Sequence, residues 1–105
     1  NLQIATAAID STGLCLFVAF AVLDNPDALQ CIVDMINARY GLYLGTDAVT
    51  MLGEQVLIDE RSFNRDAGFT KAHDRLPEFF KESLKPHNAT WDFSDEAVDK
   101  VLEGF

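Results

Sequence analysis

The chain has 105 residues, 49% apolar and 24% charged, a composition that suits one domain with a modest core and argues against disorder for most of the chain. A formal net charge of −9 argues against nucleic acid, whose phosphates are neutralised by Lys and Arg, and against an anionic membrane surface. Two cysteines, Cys15 and Cys31, are too few for a disulfide-rich secreted scaffold.

The segment Leu2 to Ile9 is Ala-rich and reads as helix, interrupted by Gly13. An unbroken apolar run follows from Gly13 to Leu23. It is too short for a membrane span of about 20 residues and reads as a buried core helix, although its Val and Phe content also suits a short buried strand. The next helix has the clearest signals. Asn25 is a good N-cap, Pro26 fits the first helical position, and Asp27 complements the positive end of the helix dipole. Leu29, Ile32, Val33, Ile36 and Tyr40 follow helical spacing, and Gly41 suits the left-handed residue after the last turn.

Thr46 caps a further helix whose apolar face is Val49, Leu52, Val56 and Phe63, ending near Phe63 or Asn64. Ala67 to Pro77 reads as irregular. Pro77 opens a short helix through about Leu84, closed by Lys85-Pro86-His87-Asn88. Ser94 caps a last helix with Asp95 and Glu96 in its first turn and Val98, Val101, Leu102 and Phe105 on its buried face. There is no βαβ alternation, repeat or low-complexity segment. Residues 1–105 therefore read as a single all-α domain, an orthogonal bundle of about five or six helices.

No secretory signal is visible, so the sequon Asn88-Ala89-Thr90 reads as chance and the thiols as reduced in a cytoplasmic setting. A start at Asn1 rather than Met suggests processing or trimming. His73 and His87 lie in polar segments and read as surface residues. The acidic and basic residues between Asp59 and Arg75 read as a solvated, ion-paired surface.

Asp10-Ser11-Thr12-Gly13-Leu14-Cys15 is different: a polar turn between two apolar segments. Burying Asp10 would be costly unless it accepts good hydrogen bonds. Gly13 allows a positive φ or a close backbone approach. A carboxylate, a permissive glycine and a thiol within six residues can grip a polar cofactor beside an iron–sulfur cluster. The same residues also suit a helix–turn–helix corner with a buried, inert Cys15.

The motif resembles the Asp-x-x-Gly-Leu-Cys signature of the aldehyde:ferredoxin oxidoreductase family, within the run Ala7 to Phe17. A second block, Glu60-Arg61-Ser62-Phe63-Asn64 continuing to Asp74-Arg75-Leu76-Pro77-Glu78, is similar to the family's charged stretch, with intermediate spacing preserved. The resemblance covers roughly residues 5 to 80. It implies the C-terminal part of a cytoplasmic enzyme that oxidises aldehydes to acids. Such an enzyme holds tungsten, or in relatives molybdenum, on two pterin dithiolenes (tungstopterin or molybdopterin), and passes electrons through a [4Fe-4S] cluster to ferredoxin. On that reading Cys15 is the fourth cluster ligand, Asp10 hydrogen-bonds one pterin, and the backbone around Leu14 and Leu16 lies along it.

The chain departs from the family in several respects. The family's upstream group of three cluster cysteines is not in this sequence, and one thiolate cannot hold four irons. Phe79 stands where the family usually has Arg. The implied partners are the missing N-terminal domains and, for the whole enzyme, ferredoxin. This piece is expected to bind no cofactor and catalyse nothing alone. Its surface around Gly13 to Phe20 is expected to be sticky enough for homo-oligomer formation. The rival reading is a non-catalytic binding or assembly module of the same ancestry.

Overall fold

The computed structural model describes all residues, Asn1–Phe105. It contains α1 (Leu2–Ser11), α2 (Val18–Asp24), α3 (Pro26–Tyr40), α4 (Asp47–Asp66) and α5 (Asp95–Leu102). It has no sheet, only an isolated antiparallel bridge between Leu84 and Ala89. The all-α expectation is met.

The helix ends follow from local chemistry. The Asn25 side chain accepts from the Asp27 N–H at 2.9 Å with Pro26 beside it, and Gly41 closes α3 at φ 67°. Asn37 braces the exit from α3 twice: its amide donates to the Leu44 carbonyl at 3.0 Å and accepts from the Leu44 N–H at 2.8 Å. The Ser94 hydroxyl accepts from the Ala97 N–H at 3.3 Å and starts α5.

The chain forms two compact units, residues 1–61 and 62–105. The first holds all four buried apolar residues: Ala8, Ile9, Ile32 and Val33. α1 approaches α4 at Gly53, which is buried. A Cβ there would run into the Ile4 carbonyl oxygen, so only glycine admits the approach. This recentres the buried side of α4. Gly53 is buried and Val49, Val56 and Leu57 half-buried, whereas Leu52 and Phe63, expected on that face, are exposed.

The second unit has no buried residue. Its principal tie is Arg75, whose Nε lies 3.2 Å from an Asp95 carboxylate oxygen and whose guanidinium donates to Asp99 at 2.9 Å. The same guanidinium donates to the Asp74 carbonyl at 3.1 Å. Asp95 and Asp99, one helical turn apart, present their carboxylates together. Arg65 also donates to the Phe105 carbonyl at 3.4 Å.

Three expectations need correction. The apolar run from Cys15 to Leu23 is neither strand nor buried core helix. Only Val18–Asp24 is helical, packed on α3 by one side, while Leu16, Phe17, Phe20 and Leu23 face outward because no further layer covers them. The helix expected from Pro77 to Leu84 shrinks to one 3₁₀ turn, Glu78–Lys81, and the backbone becomes extended at Glu82. With no core to dock on, so short a helix cannot offset its nucleation cost. Tyr40 and Val101 are exposed rather than on their helices' buried faces.

The total accessible surface is 8287 Å². No helix is long and apolar enough to cross a membrane.

Candidate functional site

The polar turn after α1 is locally over-determined. The Thr12 N–H donates to the Ala8 and Ile9 carbonyls at 3.2 and 3.0 Å. Its hydroxyl donates to the Ile9 carbonyl at 2.6 Å and accepts from the Leu14 N–H at 3.4 Å. The Ser11 hydroxyl donates back to the Ala7 carbonyl at 2.7 Å. Gly13 then takes φ 77°, with its N–H on the Asp10 carbonyl at 3.1 Å. That left-handed step costs an L residue about 1–2 kcal/mol and is natural for glycine.

Both hydroxyls of the motif are therefore engaged in shaping the turn. The two groups left to act outward are the Asp10 carboxylate and the Cys15 thiol. Asp10 is exposed and its carboxylate engages no protein group. Cys15 is exposed and free. Its carbonyl accepts the Val18 N–H at 2.9 Å, which ties the thiol-bearing residue to the start of α2. Leu14 is half-buried and Leu16 exposed. The buried corner is thus not what forms: Asp10 and Cys15 are both exposed.

The unit of residues 1–61 also contains an apolar cavity of about 270 Å³, walled by Ile4, Ile9, Val22, Ile32 and Val49. Thr12 reaches its rim, but neither Asp10 nor Cys15 lines it. Periodicity gave no sign of it, because its walls come from residues of α1, α2, α3 and α4 that are far apart in sequence.

The remaining candidates belong to local structure. His73 accepts the Thr70 N–H on Nδ1 at 3.0 Å, closing a capping box around Lys71–His73, and its ring meets Phe69 edge-on at 5.1 Å. His87 is exposed. Arg75, read from sequence as one charge in a solvated stretch, instead binds carboxylates 20 and 24 residues away. Hydrogen bonding to Asp99 raises its pKa above the ordinary guanidinium value, so it stays charged. Only a tertiary contact could reveal that role.

The cofactor groups implied by the motif can be tested against these donors. No group of three or more His, Cys, Asp or Glu is placed to hold a metal ion. A four-iron cluster therefore does not fit within this chain's residues; a single outward thiol fits one corner of such a cluster. An unpartnered carboxylate suits the N–H donors of a pterin ring, because an ionised carboxylate is an acceptor only.

The fold and the turn together define an all-α segment in which one polar turn carries an exposed carboxylate at Asp10 and an exposed thiol at Cys15. Residues 1–105 match the sequence model of the family described as aldehyde ferredoxin oxidoreductase, domains 2 and 3. The chain is 39% identical over 85 residues to a protein of Pyrococcus furiosus and 38% identical to one of Thermococcus kodakarensis. It is 36% identical to one of Pyrococcus horikoshii. Each of these relatives is named tungsten-containing aldehyde ferredoxin oxidoreductase, and each alignment covers 80% of this chain and 13% of the relative. No solved structure matches significantly. The chain belongs to the aldehyde ferredoxin oxidoreductase family, and it spans only about an eighth of the length of the relatives it matches.

Proposed function

We propose that this chain is the C-terminal part of a cytoplasmic, tungstopterin-dependent aldehyde oxidoreductase, and that it supplies one edge of the cofactor site. Cys15 donates one thiolate to a [4Fe-4S] cluster whose other ligands lie outside this chain. Asp10 accepts hydrogen bonds from one pterin, and the backbone at Leu14 and Leu16 runs along it. When bound, the metal–pterin centre supplies the two-electron oxidation of an aldehyde, and the cluster supplies the exit for electrons toward ferredoxin. The chain alone holds neither group and is inactive alone.

The observation that carries this reading is the division of labour within the motif. Ser11, Thr12 and Gly13 are committed to the turn, while Asp10 and Cys15 are exposed and uncommitted. A turn that existed only to join two helices would have no need to hold a free thiol and a free carboxylate outward.

Cys15→Ser in the full-length enzyme tests it. Visible cluster absorption and aldehyde oxidation are expected to be lost together. A variant that keeps a normal cluster spectrum would refute the ligand assignment. Asp10→Asn, which removes the acceptor charge and keeps the shape, is expected to weaken pterin retention and leave the cluster spectrum in place.

A further inference from the structure

The single 3₁₀ turn Lys71–His73 is opened by a capping box in which a histidine stands where Glu or Gln is usual. Thr70-Lys71-Ala72-His73 keeps the frame of that motif: the Thr70 side chain receives the His73 N–H, and the His73 ring reaches back to the Thr70 N–H. Nδ1 accepts that N–H at 3.0 Å. A backbone N–H can only donate, so the ring is in one tautomer, with the lone pair on Nδ1 and the proton on Nε2. A Gln oxygen at this position would accept at any pH. An imidazole accepts only while it is neutral, because both of its nitrogens become donors once it is charged.

We propose that the Thr70–His73 box is a pH-sensitive clasp, closed while the imidazole is neutral and opened when Nδ1 takes a proton. The ring is exposed, so the proton comes directly from solvent. Once it is added, two N–H donors face each other across 3.0 Å. The new Nδ1–H has acceptors at hand in the Thr70 hydroxyl at 3.2 Å and the Thr70 carbonyl at 3.3 Å. The ring therefore stays beside Thr70, and it is the Thr70 N–H that loses its acceptor. Lys71 within the turn and Arg75 beyond it oppose the imidazolium, Asp74 between them favours it, and the Phe69 ring that meets His73 edge-on is neutral. The turn closes through the Asp74 N–H, which donates to the Lys71 carbonyl at 3.1 Å. Arg75 follows directly and reaches Asp95 and Asp99 on α5. Opening the clasp thus slackens the backbone from which the principal tie of residues 62–105 extends.

The test is NMR of the full-length protein labelled selectively with ¹⁵N at threonine and histidine, titrated from about pH 8 to about pH 5, the range in which imidazoles charge. At the alkaline end the His73 ring is expected to show its proton on Nε2. As the ring charges, the Thr70 amide proton is expected to move upfield in step with it. It should end at the position it holds at every pH in His73→Ala, which has no acceptor. His73→Gln keeps an acceptor that does not titrate. In that variant the Thr70 amide should hold the alkaline wild-type position throughout. Three results would overturn the clasp: a proton on Nδ1 at the alkaline end, a Thr70 amide that stays put while the His73 ring titrates, or a Thr70 amide that moves in His73→Gln as it does in the wild type. The last would assign the response to a group other than His73. The site is exposed and both substitutions leave its backbone unchanged in kind, and the Thr70 amide in His73→Gln at the alkaline end reports directly that the turn has formed.

Discussion

The two units of the chain are held by different physics. Residues 1–61 bury Ala8, Ile9, Ile32 and Val33 and bring α1 against α4 at Gly53. Residues 62–105 bury nothing and are tied by Arg75 to Asp95 and Asp99 on α5. Apolar burial is not screened by salt and does not depend on carboxylate protonation, whereas ion pairs and charged caps respond to both. The motif with Asp10 and Cys15 stands on the unit with the core, where a rigid support is available.

The largest effect is expected at Gly53. Gly53→Ala forces a Cβ against the Ile4 carbonyl, which is backbone and cannot rotate away. Such overpacking costs about 3 kcal/mol. Thermal unfolding of the full-length protein should show the loss, unchanged by added salt. A neutral Gly53→Ala would break the comparison, because the first unit would then not depend on its close helix approach.

Arg75→Ala should come next. Removing the guanidinium leaves two half-facing carboxylates one turn apart on α5 with no counter-charge. A smaller loss of stability is expected, confined to residues 62–105 in hydrogen exchange. High salt should narrow the gap between wild type and variant, since it screens the pair that the variant lacks. A salt-independent loss would mean that Arg75 acts by packing its stem rather than by its charge.

Gly13→Ala should cost about 1 kcal/mol, since φ 77° disfavours an L residue although the space beside it is open. Gly13→Asn should cost less, because Asn tolerates the left-handed region. If the glycine were there for room, Ala would be the milder change. The order of the two variants therefore says which property the motif uses.

These positions also mark what sequence can reveal. The existence of α1, α3, α4 and α5, the Asn25 and Ser94 caps and the Gly41 terminator were legible, because each depends on residues within a few positions. The family signature was legible for the same reason. Gly53 was not: a hydrophobic count skips glycine, so the face of α4 was centred on Leu52 rather than on the residue that α1 approaches. Arg75 looked like surface charge because its carboxylates lie 20 and 24 residues downstream. The run from Gly13 to Leu23 announced burial, and Leu16, Phe17, Phe20 and Leu23 find no cover within residues 1–105. Apolarity records that a surface must be covered and not which residues cover it.

The smallest expected effect concerns acid. The Glu96 carboxylate accepts its own backbone N–H and the Ser94 hydroxyl at the start of α5, and these hold its pKa below the ordinary 4.5. A carboxyl whose folded pKa is depressed adds stability above its unfolded pKa. That contribution fades as pH falls through the folded value. The first turn of α5 should therefore loosen below about pH 4.5. Amide chemical shifts of Asp95 to Val98 followed by NMR would report it. Glu96→Gln should flatten that titration while leaving the Ser94 bond to the Ala97 N–H in place. An unchanged titration in Glu96→Gln would refute the assignment of the acid response to Glu96, and with it the separation of a pH-sensitive cap from the salt-sensitive Arg75 pairs.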